Sequence, residues 1–576
     1  MPARRTVKVM LSLALVAGAV APSIRAAAPP EAARPARASD ATLLHALSRL
    51  TFGPRPGDLA RVREQGLEAW IDTQLRPERI AEPGLDVRLA RLATLRYSTA
   101  ELLEKYEVPP EVKREALERL QEAGESPEDV SPGMRRRLYG ELRDRVPQME
   151  GPPRRVLEEL QAGKLLRAVY AERQLEEVVV DFWMNHFNVY AQKGPVKFLL
   201  PEYEREIRKH SLGRFEDLLR VSAESPAMLF YLDNWLSVDP AAAAQTKARI
   251  ERAMRGGRSR SFARRGRRGQ GGPKADAAVR EVLARRSGLN ENYARELLEL
   301  HTLGVDGGYT QEDVREVARV FTGWTIGGLR QNDPEFVFAP RVHDRGDKQV
   351  LGFQVEGGGV EEGRAVLHLL ATHPSTARFV SYKLARRLVA DEPKAALVER
   401  AASSFLGTQG DIRAVVRAIV TDPEFLSPEV RGVKVKTPLE FVASALRASA
   451  ADVQDTRELT RRLAEMGMPL YLQQPPIGYK DTADAWVSTS GLLARLNFAL
   501  DLAAGRLRGV RVTSSALGLD LRGVEGEALA EALSSKLVPA GLGETTRTTL
   551  AKEAGAGGDA PRVAGLILGS PEFQKR

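Results

Sequence analysis

Apolar residues recur along most of this chain at a spacing near 3.6, which places them on one face of an α-helix. The spacing predicts helices over residues 59–75, 156–177, 203–219, 311–322, 360–370, 376–388, 412–421 and 439–448. Strict alternation is scarce and is confined to residues 336–338 and 348–353, which we expect to pair as one hairpin. The pattern therefore predicts an all-α protein, predominantly helical and globular, with at most a small β-hairpin.

Residues 290–301 show the sharpest separation of polar from apolar positions. The polar face of this predicted helix carries Glu291, Asn292, Arg295, Glu296 and Glu299. His301 falls among the apolar residues of the opposite face, Asn290 is expected to cap the start, and Gly304 is expected to follow the end. Arg295 has the i,i+4 spacing of an ion pair with Glu291 and with Glu299. We expect this network to be buried and to orient Asn292 and Glu296.

Further motifs accompany this helix. They are LLHALSRLTFG at 43–53, DFWMNHF at 181–187, GYTQEDV to TGW at 308–324, HDRGDK to LG at 343–352, and PPIGY to W at 475–486. Together with residues 290–301, they resemble the motifs of the bacterial family called domain of unknown function 1800, with Tyr479 where the family usually has tryptophan. The resemblance runs from about residue 40 to residue 576. It implies a family and a candidate site, and no particular reaction.

The N-terminus has the pattern of a secretory signal peptide over residues 1–28. Arg4, Arg5 and Lys8 precede an apolar stretch, and small residues at 26–28 suit cleavage. Residues 29–39 are expected to form a flexible leader. The Phe-Leu pair typical of the twin-arginine route is missing, so the Sec route is favoured. No later stretch approaches 18 apolar residues, so we expect an exported protein, periplasmic or extracellular, that is soluble and has no transmembrane anchor.

Residues 40–576 are expected to form a single large helical domain. A charged helical insertion is expected at about 101–153, and a disordered basic loop at about 255–273. Residues 247–274 alone carry eleven Lys or Arg against one acid, so the rest of the mature chain is mildly acidic despite the net charge of +9. The composition therefore does not predict specific nucleic-acid binding.

The chain contains no cysteine, which excludes thiolate nucleophiles, Cys-type zinc sites, iron–sulfur clusters and covalently attached haem. No serine-nucleophile elbow, Walker loop or dinucleotide fingerprint is present. The cofactor is left open. A divalent metal would need ligands from separate helices, because no local ligand pair occurs.

The candidate site follows from the histidines, four of which lie inside motifs although the chain has only seven. Histidine is a common metal ligand and a general base near neutral pH. The predicted catalytic residues are His186, Glu296, His301, His343 and Asp344. The predicted substrate-binding residues are Trp183, Asn185, Asn292, Arg295 and Lys348. The alternative is that each histidine is a core residue bonded to backbone.

Two interpretations of the segment at 181–187 stay open. In one, its aromatic residues pack in the core and Asn185 acts as a cap. In the other, Asn185 and His186 lie at the mouth of a cavity whose wall is Trp183.

Two functions stay open, an enzyme and, as the alternative, a non-catalytic binding protein. The first is an enzyme that uses acid–base or metal-assisted chemistry to hydrolyse an envelope or extracellular compound. The second is a non-catalytic envelope protein that binds or assembles with a partner. The resemblance points to a partner from the domain of unknown function 1501 family, which resembles alkaline phosphatase and sulfatase folds. Oligomeric state is not predicted.

Overall fold

The apolar spacing is realised as helices through nearly all of the chain. The computed structural model describes residues 38–109, 111–112, 114–115, 118–119, 146, 149–245, 248, 252, 288–328 and 333–576. The basic loop at 255–273, the signal peptide and most of the charged insertion lie outside these residues. The predominantly helical fold class is confirmed, with short antiparallel strand pairs beside the helices.

The helices of the first half begin near residue 40. They are α1 Asp40–Leu50, α2 Asp58–Gln65, α3 Leu67–Gln74, α4 Pro83–Leu89, α5 Thr99–Tyr106, α6 Arg154–Tyr170, α7 Gln174–His186, α8 Val196–His210, α9 Phe215–Glu224, α10 Pro226–Tyr231 and α11 Glu291–Glu296. A π-helical turn, Leu297–Thr302, continues α11 directly.

The helices of the second half complete the unit that spans residues 38–576. They are α12 Gln311–Val320, α13 Val360–Ala371, α14 Pro374–Leu388, α15 Ala395–Gly407, α16 Ile412–Val420, α17 Pro423–Leu426, α18 Pro438–Ala448, α19 Arg457–Glu465, α20 Thr489–Ala503, α21 Gly526–Leu537, α22 Glu544–Gly555 and α23 Ala560–Gly569. Among the described residues, none of these helices is both long and apolar enough to cross a membrane.

Three helices predicted as continuous are each divided in two, which corrects the prediction. The range 59–75 breaks at Gly66, whose φ of 88° lies in the left-handed region. The range 156–177 breaks after α6, where the Gln174 side chain donates hydrogen bonds to the carbonyls of Ala168 and Ala171. The range 203–219 breaks between α8 and α9. Periodicity does not reveal these breaks, because the apolar spacing resumes beyond each one.

Residues 336–338 lie in a strand as predicted, but residues 348–353 contain one strand, a turn and the start of another, and the prediction that the two ranges pair with each other is wrong. The strands are β1 Trp324–Gly327, β2 Glu335–Phe338, β3 Lys348–Val350, β4 Phe353–Val355, β5 Asp452–Val453 and β6 Val510–Arg511. β2 pairs with β1, β3 with β4, and β5 with β6, all antiparallel. Leu351 and Gly352 have φ values of 50° and 80°, a two-residue turn that folds β4 back onto β3 at once.

Helix α7 lies within the core and positions the candidate site. Nearly all its residues are buried, so it lacks the solvent-exposed side that a surface helix has. The π-helical turn packs against α13 and α14. Asn290 caps α11 by accepting a hydrogen bond from the Tyr293 amide, as predicted, and Gly304 follows the π-helical turn with a φ of 83°. π-helical turns occur frequently at functional sites.

Candidate functional site

A cavity of about 420 Å³ lies where α7, the π-helical turn, α14 and the segment 468–482 meet. Phe182, Met184, Leu300, Phe379 and Ile477 give it largely apolar walls. His186 and Lys383 bring polar atoms to the same walls. The lining also contains further charged residues, and apolar walls combined with convergent polar groups are typical of small-molecule sites.

The central contact of the cavity joins α14 to α7. The ammonium of Lys383 donates a hydrogen bond to Nδ1 of His186 at 2.8 Å. On the other side of the ring, Nε2 of His186 lies 3.1 Å from the backbone carbonyl oxygen of His301. A carbonyl oxygen can only accept, so Nε2 carries the proton and Nδ1 is free to accept from Lys383. The imidazole is therefore neutral and fixed in one tautomer.

The electrostatics of this pair follow from its burial. Burial, and then the charge of Lys383, hold the pKa of His186 well below its ordinary value. Burial likewise lowers the pKa of Lys383 to about 8, although Asp481 acts in the opposite direction. A lysine in an apolar setting loses hydration of its charged form, which is why its pKa falls toward neutrality.

Lys383 differs from the other cations that line the cavity. Lys164 pairs with Asp181 at 2.6 Å, and Arg387 with the same carboxylate at 2.9 Å. The remaining pairs are Arg386 with Glu392 at 2.9 Å and Lys480 with Asp484 at 3.5 Å. Among the described residues, Lys383 is the lining cation without a carboxylate partner. Its Nζ lies instead 5.3 Å from the ring centre of Phe379.

A buried ion network forms the floor beneath this pair. Arg387 contacts Asp181 of α7 and Glu440 of α18, each at 2.9 Å, and Arg576 contacts Glu440 at 2.8 Å. Burial alone would raise the pKa of Glu440, but Arg387 and Arg576 lower it to about 2. The network ties α7, α14 and α18 together and so fixes the helices that present His186 and Lys383.

His301 supports the site through its backbone. Its ring centre lies 6.3 Å from that of His186 and 5.2 Å from that of Phe187. Burial, and then the charge of Lys383, lower the pKa of His301 to about 3. Its Nε2 has no hydrogen-bond partner among the described residues. The structure thus brings His186 and His301 together, with the carbonyl oxygen of His301 as the contacting atom.

Asn185 joins two of the sequence motifs. Its Nδ2 donates to the carbonyl of Tyr479 at 2.8 Å, and its Oδ1 accepts from the amide of Tyr479 at 2.7 Å. Nearby, Asn188 donates to the carbonyls of Gln473 and Pro475, both at 2.9 Å. These bonds hold the segment 473–479 against the end of α7. Asn185 lines the cavity, but its amide is occupied by the chain itself.

Trp183 lies in the core rather than at the cavity. Its side chain is fully buried, and its Nε1 donates to the carbonyl of Ser211 at 2.9 Å. Its ring stacks on Phe187 with centres 5.8 Å apart. The neighbouring Phe182 lines the cavity instead. Trp183 therefore packs in the core, as in the first interpretation, whereas Asn185 and His186 line a cavity, as in the second, although Trp183 is not its wall.

The polar face of α11 is arranged differently from the expected buried network. Arg295 donates to Gln311 at 2.7 Å, and Gln311 donates to Glu291 at 2.8 Å. Asn292 is exposed and Arg295 is half-buried. Within the described residues neither i,i+4 ion pair of Arg295 forms, because α12 offers Gln311 as a closer partner. The expectation of a buried ion network on this face is therefore wrong.

The two acids near the end of this helix differ in position. Glu299 lines the cavity and accepts a hydrogen bond from the Tyr309 hydroxyl at 3.2 Å. Glu296 is half-buried and does not line the cavity. Burial, and then the charge of Glu299, raise the pKa of Glu296.

His343, Asp344 and Lys348 form a second cluster, outside the cavity lining. His343 Nε2 lies 3.0 Å from Glu362 Oε1, and Lys348 Nζ lies 2.6 Å from Glu362 Oε2. Arg319 contacts Asp344 at 2.8 Å. The side chains of Lys348 and Glu362 are almost completely buried. Every charge here has an opposite partner, so the cluster clamps the segment 343–348 onto α12 and α13.

A metal site finds little support in these arrangements. Within the described residues, no group of three or more His, Asp or Glu side chains is placed to hold a metal ion. The motif histidines instead contact carbonyl oxygens, a lysine and a single glutamate.

The sequence motifs include some residues of the cavity lining and miss others. Asp181 and Tyr479 lie inside segments that the motifs mark. Lys383 and Arg387 lie on an ordinary amphipathic helix, and nothing in the local sequence singles them out. Their role depends on the approach of the segment 468–482, which sequence spacing does not show.

The structure is that of a helical protein with a largely apolar cavity beside α7. A family model described as "Protein of unknown function (DUF1800)" matches residues 45–575. The chain therefore belongs to this family. No curated protein and no solved structure matches it.

Proposed function

We propose that this chain is an exported enzyme that performs acid–base chemistry on a small envelope or extracellular compound, with hydrolysis as its reaction. The observation that supports the proposal is the contact between Lys383 and His186 on the cavity wall. The proposed export rests on the pattern of residues 1–28.

Lys383 would exchange a proton with the substrate, and His186 would hold the ammonium in place. A general acid or base works best when its pKa lies near the operating pH, and the pKa of Lys383 is about 8. Before reaction His186 is neutral and accepts through Nδ1, while the carbonyl oxygen of His301 fixes its ring. Asn185 would act by positioning the segment that closes the cavity.

The remaining predicted site residues have other places in this proposal. The predicted site residues outside the cavity lining are His301, Trp183, Asn292, Arg295, Glu296, His343, Asp344 and Lys348. They would maintain the fold around the site. The cavity volume of about 420 Å³ suits a compound of modest size, with an apolar body and one polar group near Lys383.

The test is a panel of chromogenic esters, amides, phosphates and sulfates, assayed with the purified mature chain in the presence and absence of a chelator. For any substrate that is hydrolysed, Lys383→Met should lower kcat/KM by about 10²–10⁴-fold. Lys394→Met on the exposed start of α15 is the matched control and should leave it unchanged. A Lys383→Met protein that folds and keeps full activity would refute the proposal.

A second candidate is the non-catalytic binding protein, favoured by exposed apolar residues at the cavity (Ile477) and in the chain that follows it. Ile477, Leu493 and Val487 are 58%, 57% and 47% exposed. The proposed partner is a protein of the domain of unknown function 1501 family. Co-purification lost in Ile477→Asp and Leu493→Asp, but kept in Leu406→Asp on α15, would favour this candidate.

A further inference from the structure

Lys383 has the surroundings of a reactive amine. Its hydrogen-bond partner is a neutral imidazole, its other close neighbour is the face of Phe379, and its charge has no carboxylate partner among the described residues. Lysines that act as nucleophiles are activated in this way, by an apolar setting or by a nearby cation. Burial is the main cause of the lowered pKa of Lys383; Asp481 raises this pKa, and Arg386, one helical turn further along α14, lowers it by less than Asp481 raises it.

His186 is placed to move a proton at the same nitrogen. Its Nδ1 lies 2.8 Å from Nζ of Lys383 and carries no proton of its own. It can therefore accept a proton from Nζ during bond formation and return it to a departing oxygen. Proton transfer requires this hydrogen-bond distance, which the buried ring maintains.

The walls of the cavity indicate the rest of the ligand. Phe182, Met184, Leu300 and Phe379 offer apolar surface beside Lys383. An alkyl or aryl chain gains from this surface, whereas a highly charged ligand would have to give up hydration to enter.

We propose that the cavity takes an aldehyde or ketone with an apolar chain, and that Lys383 holds its carbonyl carbon as an imine. The neutral amine attacks that carbon, a C–N bond forms, and the C=O π electrons move to oxygen. His186 transfers protons from nitrogen to this oxygen, the C–O bond breaks, and water leaves with both amine protons. No oxidant or reductant is required. The proposal rests on the proposed function only in using the same cavity and the same lysine–histidine pair.

The experiment treats the mature chain with hexanal and sodium cyanoborohydride at pH 7, which reduces an imine to a stable alkylamine. Peptide mass mapping then gives the labelling rate of each lysine. Lys383, with a pKa of about 8, should react on the order of a hundredfold faster than the exposed Lys552 of α22. Equal rates at the two lysines would overturn the proposal.

Hexan-1-ol has the same alkyl chain as hexanal but no carbonyl, so it can occupy the apolar cavity without forming an imine. It therefore helps to distinguish the imine proposal from the proposed hydrolysis. It should slow labelling of Lys383 and leave Lys552 unaffected. If hydrolysis of the panel substrates depends on Lys383 but labelling there is slow, the imine is wrong and the proposed function stands. If labelling of Lys383 is fast and hexan-1-ol does not slow it, the lysine reacts outside an apolar cavity, and this proposal fails.

His186→Asn tests the proton-transfer step. It should slow labelling at Lys383 by tenfold or more while hexan-1-ol protection remains. A melting curve establishes that the variant is folded. Unchanged labelling in a folded His186→Asn protein would remove His186 from the mechanism. Because the wild-type measurements do not require this variant, the imine itself is tested even if the variant fails to fold.

Discussion

Asn185 and Tyr479 hold each other by two hydrogen bonds that run in opposite directions between the end of α7 and the segment 475–482. Gly478 permits this approach. A Cβ at Gly478 would lie 2.3 Å from the carbonyl oxygen of Asn185, and its φ of 75° lies in the left-handed region. The cavity wall formed by this segment therefore depends on a residue without a side chain.

Gly478→Ala should destabilise the protein and disturb the cavity. The matched control is Gly432→Ala, because Gly432 has a similar φ of 63° and a Cβ there would meet nothing within 4 Å. Both variants incur the left-handed strain of about 1–2 kcal/mol. Gly478→Ala should cost roughly 1–3 kcal/mol more, since it also separates Asn185 from Tyr479. Urea unfolding measures the difference, and equal losses would contradict this account of the contact.

Glu362→Gln should strongly reduce stability while leaving the cavity chemistry intact. Glu362 is the shared anion of His343 and Lys348, and its removal leaves buried positive charge uncompensated. The expected loss is about 3–5 kcal/mol in the free energy of unfolding. Glu361→Gln is the neighbouring control: its pair with Arg364 is exposed and should contribute less than about 1 kcal/mol. A stable Glu362→Gln protein that had lost activity would instead place this cluster in the site.

Much of the fold was predictable because each helix carries its own apolar stripe and caps. Asn290 and the Thr310–Asp313 capping box are local signals, and both form. Strand pairing was not predictable from alternation, because it depends on the turn at Leu351 and Gly352. Leucine rarely adopts a positive φ, so the sequence does not indicate that Leu351, with a φ of 50°, begins a turn.

The candidate site was predictable where a rare residue type marked it and not where tertiary approach created it. His186 and His301 are scarce residues inside motifs, and they do meet. His343 is also a scarce histidine inside a motif, yet it pairs with Glu362 in a separate ion cluster. Histidines form structural ion pairs as well as catalytic sites, and the sequence does not distinguish the two. Lys383 is one of many lysines on helices, and its properties come from the surfaces packed around it.

His301→Phe should make the protein less sensitive to acid. The pKa of His301 is lowered to about 3, chiefly by burial, so the unfolded chain takes up a proton near pH 6.5 that the folded chain does not. Stability is therefore lost as the pH falls below 6.5. Between pH 7 and pH 5 the loss due to this residue is about 2 kcal/mol. In His301→Phe that difference should shrink by about this amount, as measured by urea unfolding at both pH values.

The control for the acid experiment is His368→Asn on α13. His368 is exposed and bonds Glu216, so its imidazole is hydrated in both the folded and the unfolded chain. Its removal should leave the pH dependence much closer to that of the wild type. If His301→Phe and His368→Asn behave alike, burial of a neutral His301 does not account for the acid sensitivity.

Lys383→Met should lower kcat/KM by about 10²–10⁴-fold yet raise stability at neutral pH. At pH 7 the folded protein must keep an ammonium in a setting that lowers its pKa from 10.5 to about 8, and methionine removes that charge. The lost hydrogen bond to His186 offsets part of the gain, and the lysine is only half-buried, so a net gain of roughly 1 kcal/mol is expected.

Between pH 8 and pH 10.5 the folded wild type releases the proton while the unfolded chain keeps it. Wild-type stability then rises relative to the variant, and the advantage of Lys383→Met should disappear. Urea unfolding at pH 7 and near pH 10, with Lys552→Met as the exposed control, measures both effects. A Lys383→Met protein less stable than wild type at pH 7 would mean that this lysine holds the structure together rather than serving the cavity.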